Sequence, residues 1–146
     1  MQQVVQEIKN LSIGFTSKKG EQISILKNIS TTINKGETVG IVGESGSGKS
    51  TLALAMMGYV KHGLFTISGE CIYQSNDILK MKNRELENIR GRKIAMIPQN
   101  AGQSLTPNLK IGYQIDEALR LHTNFQKDDR DVKISELLNK VRLPSP

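Results

Sequence analysis

Residues 38–51 read TVGIVGESGSGKST, an apolar run that passes into a glycine-rich segment and ends in a lysine, a serine and a threonine. The apolar run TVGIVG predicts a buried strand, and KSTLALAMMGYV has the length and composition of a helix that ends near Gly58 or Gly63. The glycine-rich segment therefore joins a strand to a helix. Because glycine loses more backbone freedom on folding than any other residue, so many glycines in one place need an explanation.

A phosphate-binding loop would explain these glycines. The alternative is a glycine-rich turn with no ligand. Gly43, Gly48, Lys49 and Ser50 fit the pattern G-x-x-x-x-G-K-[ST], in which backbone N–H groups surround an anion and side chains would obstruct its closest approach. The free N–H groups at the start of the helix add to this attraction. In this pattern the lysine reaches the β- and γ-phosphates and the serine hydroxyl ligates Mg²⁺. The candidate nucleotide ligands are Gly43, Glu44, Ser45, Gly46, Ser47, Gly48, Lys49, Ser50 and Thr51, the last at the α-phosphate.

Composition limits the classes of protein to consider. A chain of 146 residues with 37% hydrophobic and 23% charged residues is typical of one soluble folded domain. The longest apolar stretch, residues 51–60, is shorter than the roughly 18 residues of a membrane span, and no secretory segment precedes it, so we expect a cytoplasmic protein. The single cysteine, Cys71, is expected to be a buried, inert thiol.

The net charge of +6 leaves nucleic acid or an anionic membrane surface open as a partner. The basic residues are scattered in small groups, however, without the interleaved aromatic residues of a base-stacking surface. A solvated basic surface is therefore the favoured interpretation.

The chain opens with signals of antiparallel β-structure. Residues 4–15, VVQEIKNLSIGF, alternate loosely as in a strand, KKGEQ at 18–22 is typical of a hairpin turn, and ISILKNISTTI at 23–33 predicts a second strand. Further along, residues 67–79 predict a strand, a turn and a further strand edge.

Two more elements follow. KNRELENIRG at 82–91 predicts an exposed charged helix that closes at Gly91. The apolar run Ile94–Ile97 predicts another buried strand, which would carry Gln99 into a loop at its carboxyl end, where open α/β sheets bind ligands. A solvated loop glutamine is the alternative for that residue.

The ordered segments KNISTTINKGETVGIVGESGSGKST, SGECIYQSNDIL, GRKIAMIPQN and SLTPNLKIGYQIDEAL resemble the ATP-binding subunit of ABC transporters, most closely the oligopeptide, dipeptide and nickel uptake group. The resemblance extends from about Val5 to Pro146. It implies an α/β fold, a P-loop NTPase core with an amino-terminal antiparallel β subdomain, and it implies ATP and Mg²⁺ as cofactors.

The resemblance also implies roles for single residues. Lys49 and Gln99 would be catalytic, with Gln99 contacting Mg²⁺ and the attacking water, and Ser50 would be a second Mg²⁺ ligand. Phe15 stands where the family places an aromatic residue that stacks on adenine, although a packed strand residue is an open alternative. Pro98 and Asn100, on either side of the glutamine, depart from the apolar or aromatic residue and the acidic residue that the group usually has there.

The same resemblance implies partners and a location. A second ATP-binding subunit would complete the site, and residues near Asn100–Leu109 would contact transmembrane permease subunits. An extracytoplasmic solute-binding protein would be an indirect partner. The chain would then lie on the inner face of the cell membrane as a peripheral protein, with no nucleic acid bound.

The second half of the family's pattern does not occur within residues 1–146, which hold no LSGGQ-like signature, no apolar run ending in Asp-Glu, no D-loop and no switch histidine. We therefore expect residues 1–146 to form the amino-terminal part of a nucleotide-binding domain, truncated before the signature and Walker B half. Such a chain should bind ATP without turnover. Apolar strand surface and backbone edges should stay unpaired, leading to association or partial disorder.

The predicted function is an ATPase subunit that drives import of peptides or nickel-type solutes. One alternative is a P-loop ABC-type protein that acts on nucleic acid, such as a repair or translation factor. Another is a non-catalytic nucleotide-binding chain.

Overall fold

The computed structural model describes residues 3–143, without the side chains of residues 101 and 103. The chain divides into two compact units, Met1–Leu86 and Glu87–Pro146. The first contains the sheet and the glycine-rich loop, and the second is mainly helical.

The first unit is built on an antiparallel sheet of four strands in the order β2-β1-β3-β4. Strand β1 (Val4–Thr16) and strand β2 (Gln22–Asn34) form a long hairpin, and β3 (Phe65–Tyr73) pairs with the other edge of β1 before a tight turn leads to β4 (Asn76–Asp77). The predicted hairpin and the predicted strand, turn and strand edge over 67–79 are confirmed. Alternation and turn residues act over short distances, which is why these elements could be read from the sequence.

The core of the first unit lies on one face of this sheet. Its fully buried side chains include Ile8, Leu11 and Ile13 of β1 and Cys71 of β3. Cys71 is buried as expected, and because burial disfavours the thiolate, its pKa is raised to about 11. A thiol in this state is unreactive at neutral pH.

A short helix, α1 (Lys49–Ala55), contacts β2, and its residues Leu52 and Ala55 are buried. It begins at Lys49 as expected, and a hydrogen-bonded turn through Gly58 follows its last residue. Helix α2 (Asn83–Glu87) is shorter than expected, since it ends before Gly91, and its Leu86 is buried rather than exposed.

Two predicted buried strands are wrong. Residues 38–43 and 95–97 form neither strand nor helix, and Ile94 makes only an isolated bridge with Arg90. Val42 is 96% exposed and Ile97 is 93% exposed. An apolar run is stable as a strand only when a neighbouring strand accepts and donates its backbone hydrogen bonds, and the sheet of the described residues does not extend to these segments. The expectation that unpaired strand segments leave apolar side chains exposed therefore holds for Val42 and Ile97.

The second unit contains a 3₁₀ turn (Ala101–Ser104) and two helices, α3 (Ile111–His122) and α4 (Lys127–Lys140). Ile134 and Leu138 are buried on α4, and the guanidinium of Arg130 on α4 donates to the Asp116 carboxylate on α3 at 2.6 Å. Within residues 3–143, none of the helices combines the length and apolar character needed to cross a membrane.

Candidate nucleotide-binding site

The glycine-rich loop is an exposed, tightly turned segment that leads directly into α1. The Ser47 N–H donates to the Glu44 carbonyl at 3.2 Å, which closes a turn across residues 44–47. Every residue from Gly43 to Ser47 is exposed. The loop backbone is therefore open to a ligand from solvent.

Two of the loop glycines have backbones that other residues rarely adopt. Gly46 has a φ of 84° and Gly48 a φ of 92°, both in the left-handed region where a Cβ is strained. A Cβ on Gly48 would also lie 2.8 Å from the Leu26 Cδ2 atom of β2. Glycine at 48 thus lets the loop pass close to the sheet, a need that the sequence motif does not reveal.

Lys49 folds back over the loop. Its ammonium donates to the Gly43 carbonyl at 2.7 Å and to the Glu44 carbonyl at 2.6 Å, and it lies 3.5 Å from the Ser47 Oγ atom. The positive charge is therefore placed inside the curve of the loop, where a phosphate bound by the backbone N–H groups would meet it.

The start of α1 adds to this positive character. The first turn of the helix carries no acidic side chain, so nothing on it opposes the positive end of the helix dipole. Ser50 is exposed and Thr51 is half-buried in this turn. The charge, the open loop and the unopposed helix end fit a nucleotide phosphate, and the Ser50 hydroxyl fits an Mg²⁺ ligand beside it.

Phe15 lies near the tip of the β1–β2 hairpin, paired with Ile23, and is half-buried. The pairing of β1 with β2 shifts register between Ile13 and Gly14, and Gly48 approaches both Leu26 and Ile25. Phe15 thus lies on the hairpin that the glycine-rich loop approaches, and its stacking on adenine stays a prediction.

Gln99 lies in the second unit, in an irregular segment outside the helices and strands, and it is exposed. The structure thus places the glycine-rich loop and Phe15 in one unit and Gln99 in the other. The expected loop position of Gln99 is found, but the strand that was expected to precede it is not.

The segment after Gln99 contains a turn that the sequence did not predict. The Leu109 N–H donates to the Thr106 carbonyl at 3.1 Å, closing a turn. The Gln114 side chain of α3 holds this turn, because its Oε1 accepts the Thr106 N–H and its Nε2 donates to the carbonyls of Thr106 and Leu109. Leu105 and Leu109 are more than two-fifths exposed beside it, within the segment expected to contact permease subunits.

Comparisons with known proteins agree with this architecture. A family model described as ABC transporter matches residues 26–145. The chain is 37% identical to the oligopeptide transport ATP-binding protein OppD of Bacillus subtilis, covering 96% of this chain and 39% of that protein. It is also 37% identical to the dipeptide transport ATP-binding protein DppD of Lactococcus lactis subsp. cremoris, covering 96% of this chain and 40% of that protein.

Solved structures of ATP-binding cassettes are also similar to this chain. The ATP-binding cassette MJ0796, as a dimer in a post-hydrolysis state bound to ADP and Pi, superposes with a TM-score of 0.77 at 27% identity, over 92% of this chain and 56% of that one. A second dimeric structure of MJ0796, described as a bacterial ABC transporter cassette, gives a TM-score of 0.76. The predicted fold class, a P-loop NTPase core with an amino-terminal antiparallel β subdomain, is confirmed. The chain spans about two-fifths of the length of these curated relatives.

Proposed function

The chain belongs to the ABC transporter family, and from this premise we propose that it binds MgATP through residues 43–51 as part of an ATP-binding subunit of a peptide importer. The observation that carries the proposal is the position of Lys49, whose ammonium lies against two loop carbonyls inside a curve of exposed backbone. ATP is the proposed ligand because such a site complements a chain of phosphates with a charge and several N–H donors.

In the proposed site each group has a separate task. The loop N–H groups and Lys49 hold the β- and γ-phosphates, and Thr51 contacts the α-phosphate. Ser50 would hold Mg²⁺ beside these phosphates. Mg²⁺ bound there would supply positive charge that offsets the charge of the phosphates. Gln99 is proposed separately, from the family resemblance alone, as the residue that would contact Mg²⁺ and the attacking water. Lys49 stabilises the charge that develops on the transferred group.

Peptides are the proposed solute because OppD and DppD are named for oligopeptide and dipeptide transport. Nickel-type solutes are the alternative that the sequence resemblance suggests. Nucleic acid is not taken forward, since the names of these relatives give it no support. The proposed partners are a second ATP-binding subunit, transmembrane permease subunits and, indirectly, an extracytoplasmic solute-binding protein, which would place the chain peripherally on the inner face of the membrane.

The proposal is tested by titrating the 146-residue chain with a fluorescent ATP analogue, with and without Mg²⁺, and by measuring phosphate release. We expect saturable binding that unlabelled ATP displaces, with phosphate release at background. Residues 1–146 hold neither the signature loop nor the acidic pair that the family resemblance requires for turnover, and each missing preorganised element typically costs ~100- to 1,000-fold in rate.

Two results would contradict these expectations. Absence of saturable binding would refute the nucleotide site. A steady release of about one phosphate per second that Lys49→Ala abolishes would show that this chain is catalytically complete.

Phe15→Ala should weaken ATP and GTP binding alike. Stacking on the aromatic ring does not distinguish purine bases by their hydrogen bonds, so the parent chain should bind the two nucleotides within about tenfold of each other, or ~1.4 kcal/mol. Phe125→Ala is the matched control, since Phe125 is 44% exposed and follows α3 in the other unit. If Phe15→Ala binds both nucleotides as tightly as the parent does, Phe15 is a packing residue of the hairpin.

A further inference from the structure

Gln6 is a buried polar side chain on β1, only 7% exposed. Its Nε2 donates to the Met56 carbonyl at 2.6 Å and lies 3.3 Å from the Cys71 Sγ atom. Burial of an amide is costly unless it is hydrogen-bonded. The short bond to Met56 is therefore the contact that makes a glutamine acceptable at this position.

Met56 is the residue directly after α1, its C-cap, and its carbonyl needs a donor from outside the helix. The last carbonyls of a helix have no partner within the helix. Those of Leu54 and Ala55 accept N–H groups from the turn that follows α1. The Met56 carbonyl instead accepts the Gln6 amide, so β1 supplies a hydrogen bond to the end of the helix.

The same helix is held at its other end by β2. Gly48, the residue before α1, lies against Leu26 and Ile25. Because α1 has seven residues, it is about 10 Å long. A tilt of this short helix at its carboxyl end therefore also displaces its first residues. Lys49 and Ser50 occupy that first turn, so their position depends on both attachments.

We propose that Gln6 is a positioning residue for the nucleotide phosphates, acting through the Met56 carbonyl and α1. The inference rests on the proposed function, because it concerns the residues proposed to hold ATP. Gln6 is not among the residues proposed to contact ATP or Mg²⁺. Its effect is to fix the orientation of the helix that carries Lys49 and Ser50.

The test compares Gln6→Met with Ile8→Val in the 146-residue chain. Methionine has a similar length but no N–H donor, whereas Ile8→Val loosens the core on the same strand two residues further along. Both changes should lower stability, so a merely structural role would affect nucleotide binding equally in the two variants. Gln6→Leu serves as a second donor-free variant if the methionine chain does not fold.

Two measurements are made where all chains are folded: the Kd for a fluorescent ATP analogue and amide hydrogen exchange across α1. We expect Gln6→Met to weaken binding about three- to tenfold, the size of one lost hydrogen bond, and to speed exchange in α1, while Ile8→Val changes neither by more than about twofold. Unchanged binding in Gln6→Met, with Lys49→Ala still defective, would overturn the inference and leave the proposed function intact.

The exchange measurement also distinguishes the opposite case, in which the proposed function fails but Gln6 still orients α1. If the parent chain binds no nucleotide, the proposed function fails. Faster exchange in α1 of Gln6→Met would then still support control of the helix by Gln6, and unchanged exchange would overturn it.

Discussion

Lys49→Ala should weaken MgATP binding roughly 10- to 150-fold, which corresponds to the loss of about 1.5–3 kcal/mol for hydrogen bonds to a charged group. The ammonium lies 2.7 Å from the Gly43 carbonyl and 2.6 Å from the Glu44 carbonyl, within the loop proposed to bind phosphate. Alanine keeps the backbone N–H groups of the loop but removes the charge that faces the β- and γ-phosphates. Binding should therefore be weakened rather than abolished.

The matched control is Lys35→Ala, which removes the same charge from an exposed position in the turn after β2. It should leave the Kd within about twofold of the parent value, because Lys35 lies outside residues 43–51 and salt screens the interactions of an exposed charge. Lys35→Ala should unfold in urea within about 0.5 kcal/mol of the parent, as is usual for surface changes, and the Kd values of both variants are measured where the chains are folded. Equal MgATP affinity for the parent and Lys49→Ala would contradict the assignment of residues 43–51.

The features that were predictable from the sequence are those fixed by neighbours along the chain. The hairpin turn at 18–22, the start of α1 at Lys49 and the glycine-rich loop before it all depend on local residue types. The loop backbone over residues 43–47 is exposed, and the role of Lys49 at the phosphates stays a prediction. Gly46 has a φ of 84°, in the left-handed region, which explains why the loop has a glycine at this position.

The features that were missed depend on partners distant in the sequence. Residues 38–43 have the composition of a buried strand, but composition does not reveal whether a neighbouring strand is present, and Val42 is exposed. The contact between Gly48 and Leu26 and the bond from Gln6 to Met56 join residues from different elements. Gln6 could be suspected only as a polar residue within an apolar strand.

Gly69→Ala should destabilise the first unit by about 2–5 kcal/mol, the combined cost of a left-handed backbone and of overpacking. Gly69 on β3 has a φ of 81°. An added Cβ would overlap the backbone of Asn10 and the carbonyl of Lys9. Backbone atoms cannot rotate away as the end of a side chain can, so the two strands would have to separate.

The requirement arises from a β-bulge on β1. Lys9 pairs with Glu70 and Ser12 with Ser68, so two residues of β1 lie opposite the single residue Gly69. Because β1 is flanked by both β2 and β3, moving β3 away also disturbs the packing that holds the hairpin below the glycine-rich loop.

Gly63→Ala separates the two contributions. Gly63 has a similar φ of 84°, but a Cβ there would meet nothing within 4 Å, so this variant should lose only the ~1–2 kcal/mol of the left-handed backbone. Urea unfolding followed by circular dichroism gives both values. Equal losses in the two variants would mean that β3 adjusts to the extra carbon, and that the bulge does not require glycine opposite it. A larger loss in Gly69→Ala, together with weaker MgATP binding under conditions where it is still folded, would connect the register of the sheet to the position of Lys49.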